Sequence, residues 1–504
     1  MATSVEEQNL AETINNQIDE DKEKHASSTK RNRSRNKTSR GSKGSKVSPE
    51  HIAEVRAKRE AAKNARREEM IAKGLDPDCP PDLQFIRRPV LALTPKDTPQ
   101  KDFSFRLMTY NCLAQALIRR KLFPTSGNAL KWFKRSQVLL HEFKYYKADV
   151  HCLQEVDYIQ YQSFWKEEFA KLGCDSQFHR HGTKNHGIAI IWKRDLFTMS
   201  DKMLIDYDKE SSGDIEPRTT TKNVGLVVAL SFTKKVLDKF PQTQKRGILV
   251  GTTHLFWHPF GTYERTRQCY VLLKKMKEFQ RRVQVLQGNN GDVRNEWSSF
   301  VCGDFNAQPF DTPYLSMVSK PISYTGRAKT VIECSTSYTF SKARDGEECD
   351  NEDGGNIEKY GDDQPETPVP ETFEATAAQA ELVNRMAALH NSLNMRAISL
   401  YSVGYKHVHI ENSGLNNDFN EPEISNWADT WSGLLDYIFL VKEWDFSERQ
   451  TPDGIDKFQE ENGINIKSLL RMPPAKELPD HGQPHEGEYG SDHLSMISDI
   501  GLVM

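Results

Sequence analysis

No apolar stretch in this 504-residue sequence approaches the roughly 18 residues of a membrane span, so a membrane-embedded protein is not expected. The first residues carry Glu6, Glu7 and Glu12 and lack an apolar signal core, which argues against secretion and mitochondrial import. Eight cysteines are present, none in the Cys-x-x-Cys spacing of a metal site. Cys112, Cys152 and Cys302 lie in or beside apolar runs, where a reduced thiol behaves as a small hydrophobe. A reducing compartment is therefore favoured over a disulfide scaffold, and the expected location is the cytoplasm, the nucleus or both. Acids are missing from Lys30 to Lys46, where eight Lys or Arg fall. Bases are nearly missing from Asp345 to Glu374, where twelve acids meet Lys359 alone. Both runs read as solvated, disordered chain, and the basic one has the charge to attract nucleic acid.

The rest of the chain is patterned. Residues 1–48 form the basic tail, and residues 49–102 read as a polar helix (Pro49 to Lys73, with Ser48 as its N-cap) followed by a linker. The globular part is expected from Phe103 to the C-terminus, with a disordered acidic insertion at about 342–376. Strands are expected at Phe105–Tyr110, Val150–Leu153, Gly187–Trp192, Val224–Phe232, Ile248–Thr253, Phe300–Cys302, Leu435–Leu440 and His493–Ile500. Ser298 and Ser299 mark the start of the Phe300 strand, and Gly303 is read as its turn out of the sheet. Helices are expected at Trp132–Lys147, Thr266–Leu286 and Ala377–Leu393. Strands and helices mix without strict alternation, which fits an α/β or α+β layered domain.

Polar residues close or border the strands in five places. They are Asn111, Glu155, the Asp304 and Asn306 pair, Asp436, and Asp492 with His493. Taken singly, a strand-end acid is an ordinary surface group and a lone histidine an ordinary polar residue. As a set, hard oxygen donors with one imidazole point to Mg²⁺ or Mn²⁺. Phosphodiester cleavage uses such a set: a metal to neutralise phosphate oxygens, a base to orient water, and a donor to steady developing charge. Glu155 is the candidate metal ligand, assisted by Asn111 and Asp492. Asp304 is the candidate for positioning or deprotonating water, and Asn306 for orienting water or phosphate. His493 is the candidate donor to phosphate, with Asp436 holding its imidazole in the charged form.

These residues resemble the endonuclease/exonuclease/phosphatase superfamily from Phe103 onward, apart from the acidic insertion. The motifs stand in the family's order: Asn111, Gln154-Glu155, His254, Gly303-Asp304-Phe305-Asn306, Asp436 and Ser491-Asp492-His493. The resemblance implies two packed β-sheets flanked by helices, with the site at one end of the sandwich. Thr109-Tyr110-Asn111-Cys112-Leu113-Ala114 and His254-Leu255-Phe256-Trp257-His258-Pro259 are similar to the deadenylase, nocturnin and Angel branch. That likeness places His254 and Pro259 near the nucleotide and makes Trp431, five residues before Asp436, a base-stacking side chain. The basic tail and Asp76 to Phe85 look most like the yeast Ngl-type RNA exonucleases. No leucine-rich repeat precedes the catalytic region, so docking through such repeats is not expected. His186-Gly187 stands where deadenylases carry Asp-Gly, which weakens any carry-over of poly(A) preference.

The resemblance implies a Mg²⁺-dependent 3′→5′ RNA exonuclease acting on single-stranded 3′ ends, expected in ribosomal RNA 3′-end processing. The rivals are a poly(A)-specific deadenylase, a small-nucleotide or phospholipid phosphatase or DNA-repair nuclease on the same fold, and an inactive RNA-binding scaffold. The complete polar set argues against the scaffold.

Overall fold

The computed structural model describes residues 49–93, 102–286, 296–340, 364–429, 431–446 and 454–504. The basic tail, Ser48 and residues 341–363 of the acidic stretch lie outside the described residues. The chain divides at Arg66 into two compact units. The described part of the first belongs to helix α1, Pro49–Ala72, whose described side chains are exposed as far as Glu69, in keeping with its few apolar positions.

Two sheets dominate the second unit. The seven-stranded sheet runs β1 (Val90–Ala92), β14 (Ile464–Leu470), β15 (Met496–Val503), β2 (Asp102–Asn111), β3 (Val150–Asp157), β5 (His186–Lys193) and β4 (Cys174–His179). The six-stranded sheet runs β10 (Met395–Ser399), β13 (Asp436–Glu443), β9 (Trp297–Asp304), β8 (Gly247–His254), β7 (Val224–Phe232) and β6 (Phe197–Asp206). A small hairpin, β11 (Asn426–Ala428) and β12 (Trp431–Gly433), stands apart. Each large sheet holds a parallel pair, β2–β3 in one and β8–β9 in the other. A parallel pair needs a crossover, and here each crossover contains a helix: α2 (Trp132–Tyr146) and α3 (Thr262–Leu286).

Side-chain alternation explains the layering. On β2, Phe103, Phe105 and Leu107 enter the core shared with the other sheet, while Met108 and Tyr110 join the cluster with Leu139 and Phe143 of α2. β5 does the same, with Ile188, Ile190 and Trp192 inward and Ala189 and Ile191 toward α2. Phe105 meets Phe300 edge-on across the sheets at 5.8 Å between ring centroids. Gln154 of β3 also crosses, donating from Nε2 to Thr252 Oγ1 of β8 at 2.9 Å.

Several expectations need correction. β9 begins at Trp297, and Ser298 and Ser299 lie inside it at 6% and 3% exposure. The Ser299 hydroxyl is satisfied there by Gln280 Nε2 of α3 at 2.9 Å, so polarity did not mark a strand end. Gly303 is not a turn. It pairs with Thr253 on one side and Tyr437 on the other, and a Cβ there would stand 2.2 Å from the Thr253 carbonyl oxygen. His493 precedes its strand, because β15 starts only at Met496, and α3 starts at Thr262 rather than Thr266. The stretch expected as a linker also contributes to the fold. β1 pairs with β14, and Phe85 is buried against His141, Tyr145 and Tyr146 at the α2 end.

Candidate active site

The four carriers of the motif residues are the two parallel pairs. Asn111 ends β2, Glu155 lies near the end of β3, His254 ends β8 and Asp304 ends β9. Carboxyl ends of adjacent parallel strands point the same way, so the topology gathers these residues at one end of the sandwich. Asp436 opens antiparallel β13 directly opposite Asp304, and Asp492 and His493 lead into β15 beside β2. All seven therefore meet at the same end.

One amide joins the halves. Asn111 Nδ2 donates to Glu155 Oε1 and to Asp304 Oδ2, each at 2.9 Å. The second Glu155 oxygen accepts the Ala114 N–H at 2.9 Å, and Asp304 Oδ1 accepts the Asn306 N–H at 2.9 Å. His254 Nε2 lies 3.6 Å from Asp304 Oδ2 and 4.0 Å from Glu155 Oε1. His493 faces Asp304 with Nε2 at 3.5 Å, while its Nδ1 is 2.7 Å from Asp436 Oδ2. Glu155 and Asn306 both adopt left-handed backbone, with φ of 51° and 48°. Glu155 does so at a register shift between β3 and β5, a bulge that re-aims its side chain. Asn306 does so in the turn after β9, where its Nδ2 donates to the Leu255 carbonyl at 3.0 Å and ties that turn to the loop after β8.

The electrostatics split the carboxylates. Burial pushes the Glu155 carboxyl up, but His254, His186 and the donors Asn111 and Ala114 together bring it below its ordinary value. Burial raises Asp492 to about 6, with the charge of Glu155 adding to the rise. Burial likewise raises Asp436 against the pull of His493. For His493, burial opposes the charged form, yet Asp436, Asp304 and Asp492 outweigh it and leave the imidazole well above its usual value.

These features bear on a metal. Glu155 and Asp492 are hard oxygen donors whose mutual repulsion is felt, and the Asn111 amide oxygen, which accepts the Leu113 N–H at 3.0 Å, has a second lone pair to offer. The neighbouring Arg135 guanidinium is committed elsewhere, to the carbonyls of Cys112, Leu113 and Gly490 and to Gln115. A divalent cation fits that set. A tighter triple, Asp304, Asp436 and His493, brings its donor atoms within 4.8 Å of one another. It is already closed by its own 2.7 Å His493–Asp436 contact, so it is the poorer home for an ion.

The structure thus brings Asn111, Glu155, His254, Asp304, Asp436 and His493 into one contact network, with Asp492 beside it. Trp431 and Pro259 lie outside that network. Trp431 sits on β12 and is 45% exposed. Its hairpin is docked on the Asp492-His493 segment through the Trp427 N–H to the Asp492 carbonyl at 2.7 Å and a bridge between Asn426 and His493. Pro259 is half-buried in the loop after β8. That loop is shaped by Arg265 of α3, which donates to the carbonyls of Phe256 and His258 at 2.9 and 2.7 Å. Sequence reasoning missed Ser425, whose Oγ donates to Asp436 Oδ2 at 2.7 Å and accepts from the Leu435 and Asp436 N–H groups. It also missed Arg135 and Arg265. Arg135, a base on the apolar face defined by Trp132, Leu139 and Phe143, was the available signal.

The endonuclease/exonuclease/phosphatase family model matches residues 108–493. The chain is 65% identical over 471 residues to the RNA exonuclease NGL2 of Saccharomyces cerevisiae, covering 92% of this chain and 91% of that one. It is 26% identical over 237 residues to the CCR4-Not complex 3′-5′-exoribonuclease subunit Ccr4 of Yarrowia lipolytica, covering 40% of this chain and 32% of that one. Among solved structures, ANGEL2, a 2′,3′-cyclic phosphatase, in complex with adenosine-2′,3′-vanadate matches with a TM-score of 0.50 at 17% identity. That match covers 83% of this chain and 99% of that one and speaks to the fold. With its two packed sheets and one polar site, the chain belongs to the endonuclease/exonuclease/phosphatase family of hydrolytic enzymes.

Proposed function

We propose that this protein is a Mg²⁺-dependent 3′→5′ exonuclease acting on single-stranded RNA 3′ ends, and that it works in ribosomal RNA 3′-end processing. The observation that carries the reading is the Asn111 amide joining Glu155 to Asp304, with the charged His493 facing Asp304 from the other side. The near-full-length similarity to a protein named an RNA exonuclease supports the choice of substrate. Seven described cysteines are free, in keeping with work in the cytoplasm or nucleus.

Glu155, Asn111 and Asp492 hold the divalent ion, which neutralises phosphate charge when bound. Asp304 Oδ2 accepts a hydrogen bond from the attacking water, and Asn111 Nδ2 fixes that oxygen. Asp304 takes the water's proton as its oxygen adds to phosphorus and the P–O3′ bond breaks, and the departing O3′ takes a proton from solvent, leaving a nucleoside 5′-monophosphate and a 3′ hydroxyl on the shortened chain. The His493 imidazolium donates from Nε2 to a phosphate oxygen as charge develops, and Asp436 keeps it charged and oriented. His254 faces the same phosphate from β8. Asn306 holds the two loops in register, and one of its amide hydrogens is engaged in that task. Trp431 stacks on a 3′-terminal base, with Pro259 bordering the nucleotide.

The test sets oligo(A), a structured RNA with a 3′ extension, abasic DNA and NADPH side by side, with wild type and Glu155→Ala. The expected result is Mg²⁺-dependent shortening of both RNAs by wild type and none by the variant. Turnover of NADPH or abasic DNA alone would overturn the substrate assignment. Full activity in Glu155→Ala would overturn the metal site.

A further inference from the structure

Between β14 and Ser491 the chain folds back on itself and brings His481, His485 and Glu488 together. Their donor atoms lie within 4.8 Å of one another. His481 Nε2 is 3.1 Å from both Glu488 oxygens, and His485 Nδ1 is 3.7 Å from Oε1. The two imidazole centroids lie 3.9 Å apart, with the rings tilted 35° to each other. Their side chains are 28%, 33% and 20% exposed, sheltered but open to an entering ion.

An ion pair of His481 with Glu488 explains only part of this. His485 Nδ1 is buried without a hydrogen-bond partner, and its own approach to Glu488 Oε1 at 3.7 Å is too long to be one. Glu488 Oε2 is held by Gln483 Nε2 at 2.6 Å, which leaves Oε1 toward both imidazoles. Supporting bonds of that kind orient metal-binding carboxylates. Tetrahedral zinc with ligand bonds of about 2.0–2.1 Å sets its donors roughly 3.3–3.4 Å apart. The observed separations of 3.1 and 3.7 Å from Oε1 bracket that edge.

We propose that His481, His485 and Glu488 form a second metal site that holds Zn²⁺, with the fourth position open to water. Two imidazoles and one carboxylate suit zinc and do not suit Mg²⁺, which wants oxygen throughout. The site is separate from the centre at Glu155 and does not rest on the exonuclease reading. Its place in the fold suggests what it braces. The Gln483 N–H donates to the Trp427 carbonyl at 3.0 Å, and Gly482 lies so close to Asp429 that a Cβ would meet its nitrogen at 2.2 Å. The loop is thus seated on the hairpin that carries Trp431, and zinc fixes that seat.

The test uses tag-free full-length protein, stripped of metal, loaded with Zn²⁺ under excess Mg²⁺ and desalted. Elemental analysis should find about one zinc per chain, lost in His481→Ala and His485→Gln and kept in Glu155→Ala. X-ray absorption of the loaded wild type should show two imidazoles on zinc, which keeps the assignment testable if a variant misfolds by circular dichroism. Absence of retained zinc, retention in both histidine variants, loss in Glu155→Ala alone, or a shell without two imidazoles would each overturn it.

Discussion

Asp436 holds the His493 imidazole by a 2.7 Å contact from Oδ2 to Nδ1, both side chains being buried, and so directs Nε2 toward Asp304. Asp436→Asn keeps an acceptor in that place and removes its charge. The rate of RNA cleavage should fall by about 10²–10⁴-fold with KM little changed, since in the proposed mechanism the imidazolium acts only as charge develops. Single-turnover cleavage measures this, and a loss under tenfold would remove the dyad from the mechanism.

Trp431 presents its indole to solvent on a hairpin that rests on the Asp492-His493 segment. Trp431→Ala should weaken binding of single-stranded RNA by about 1–3 kcal/mol, with Trp431→Phe recovering much of it. The melting temperature should not move, because the ring is not part of the core. Fluorescence anisotropy with a labelled oligonucleotide gives the comparison, and equal affinity in the alanine variant would refute stacking.

Gly303 has no room for a side chain, with Thr253 oxygen 2.2 Å from the site of a Cβ. Gly303→Ala must push β8 and β9 apart next to His254 and Asp304. A stability loss of about 3 kcal/mol is expected in urea denaturation. Activity should be lower even where the variant is fully folded.

Glu421 is fully buried and accepts the Tyr314 hydroxyl at 2.8 Å. Burial raises its carboxyl from 4.5 to about 7. Between those values the native chain keeps a proton that the unfolded chain releases, so its contribution is whole below pH 4.5 and lost as pH rises through about 7. Glu421→Gln should flatten that decline, worth up to about 3 kcal/mol. Denaturation midpoints at pH 5 and pH 8 test it, and an unchanged difference between them would exclude Glu421 as the source.

Much of the candidate site was legible because its residues border apolar runs, and either end of a strand is where a side chain can leave the core. Glu155, Asp304, Asp436 and His493 were found that way, and their order carried the family resemblance. The bulge that aims Glu155 was hidden, since register depends on β5, which lies outside the motif. Gly303 looked like a turn because glycine allows both a turn and a close approach, and only the neighbouring strand decides. Ser425 was out of reach for a similar reason: its partner Asp436 is met across a loop, and no local pattern marks it. β1 escaped because its three residues find their partner in β14, near the other end of the chain.

The Asn111 amide draws one acceptor from each sheet, so the geometry of the candidate site is measured across the sandwich rather than within either leaf. A slip of about 1 Å between the leaves is enough to cost 10²-fold in rate. Such a slip would leave circular dichroism and most of the core unchanged. Turnover is thus a finer gauge of inter-sheet alignment than any bulk probe of folding, and distant core substitutions at Phe105 or Phe300 would be read first as slow catalysis.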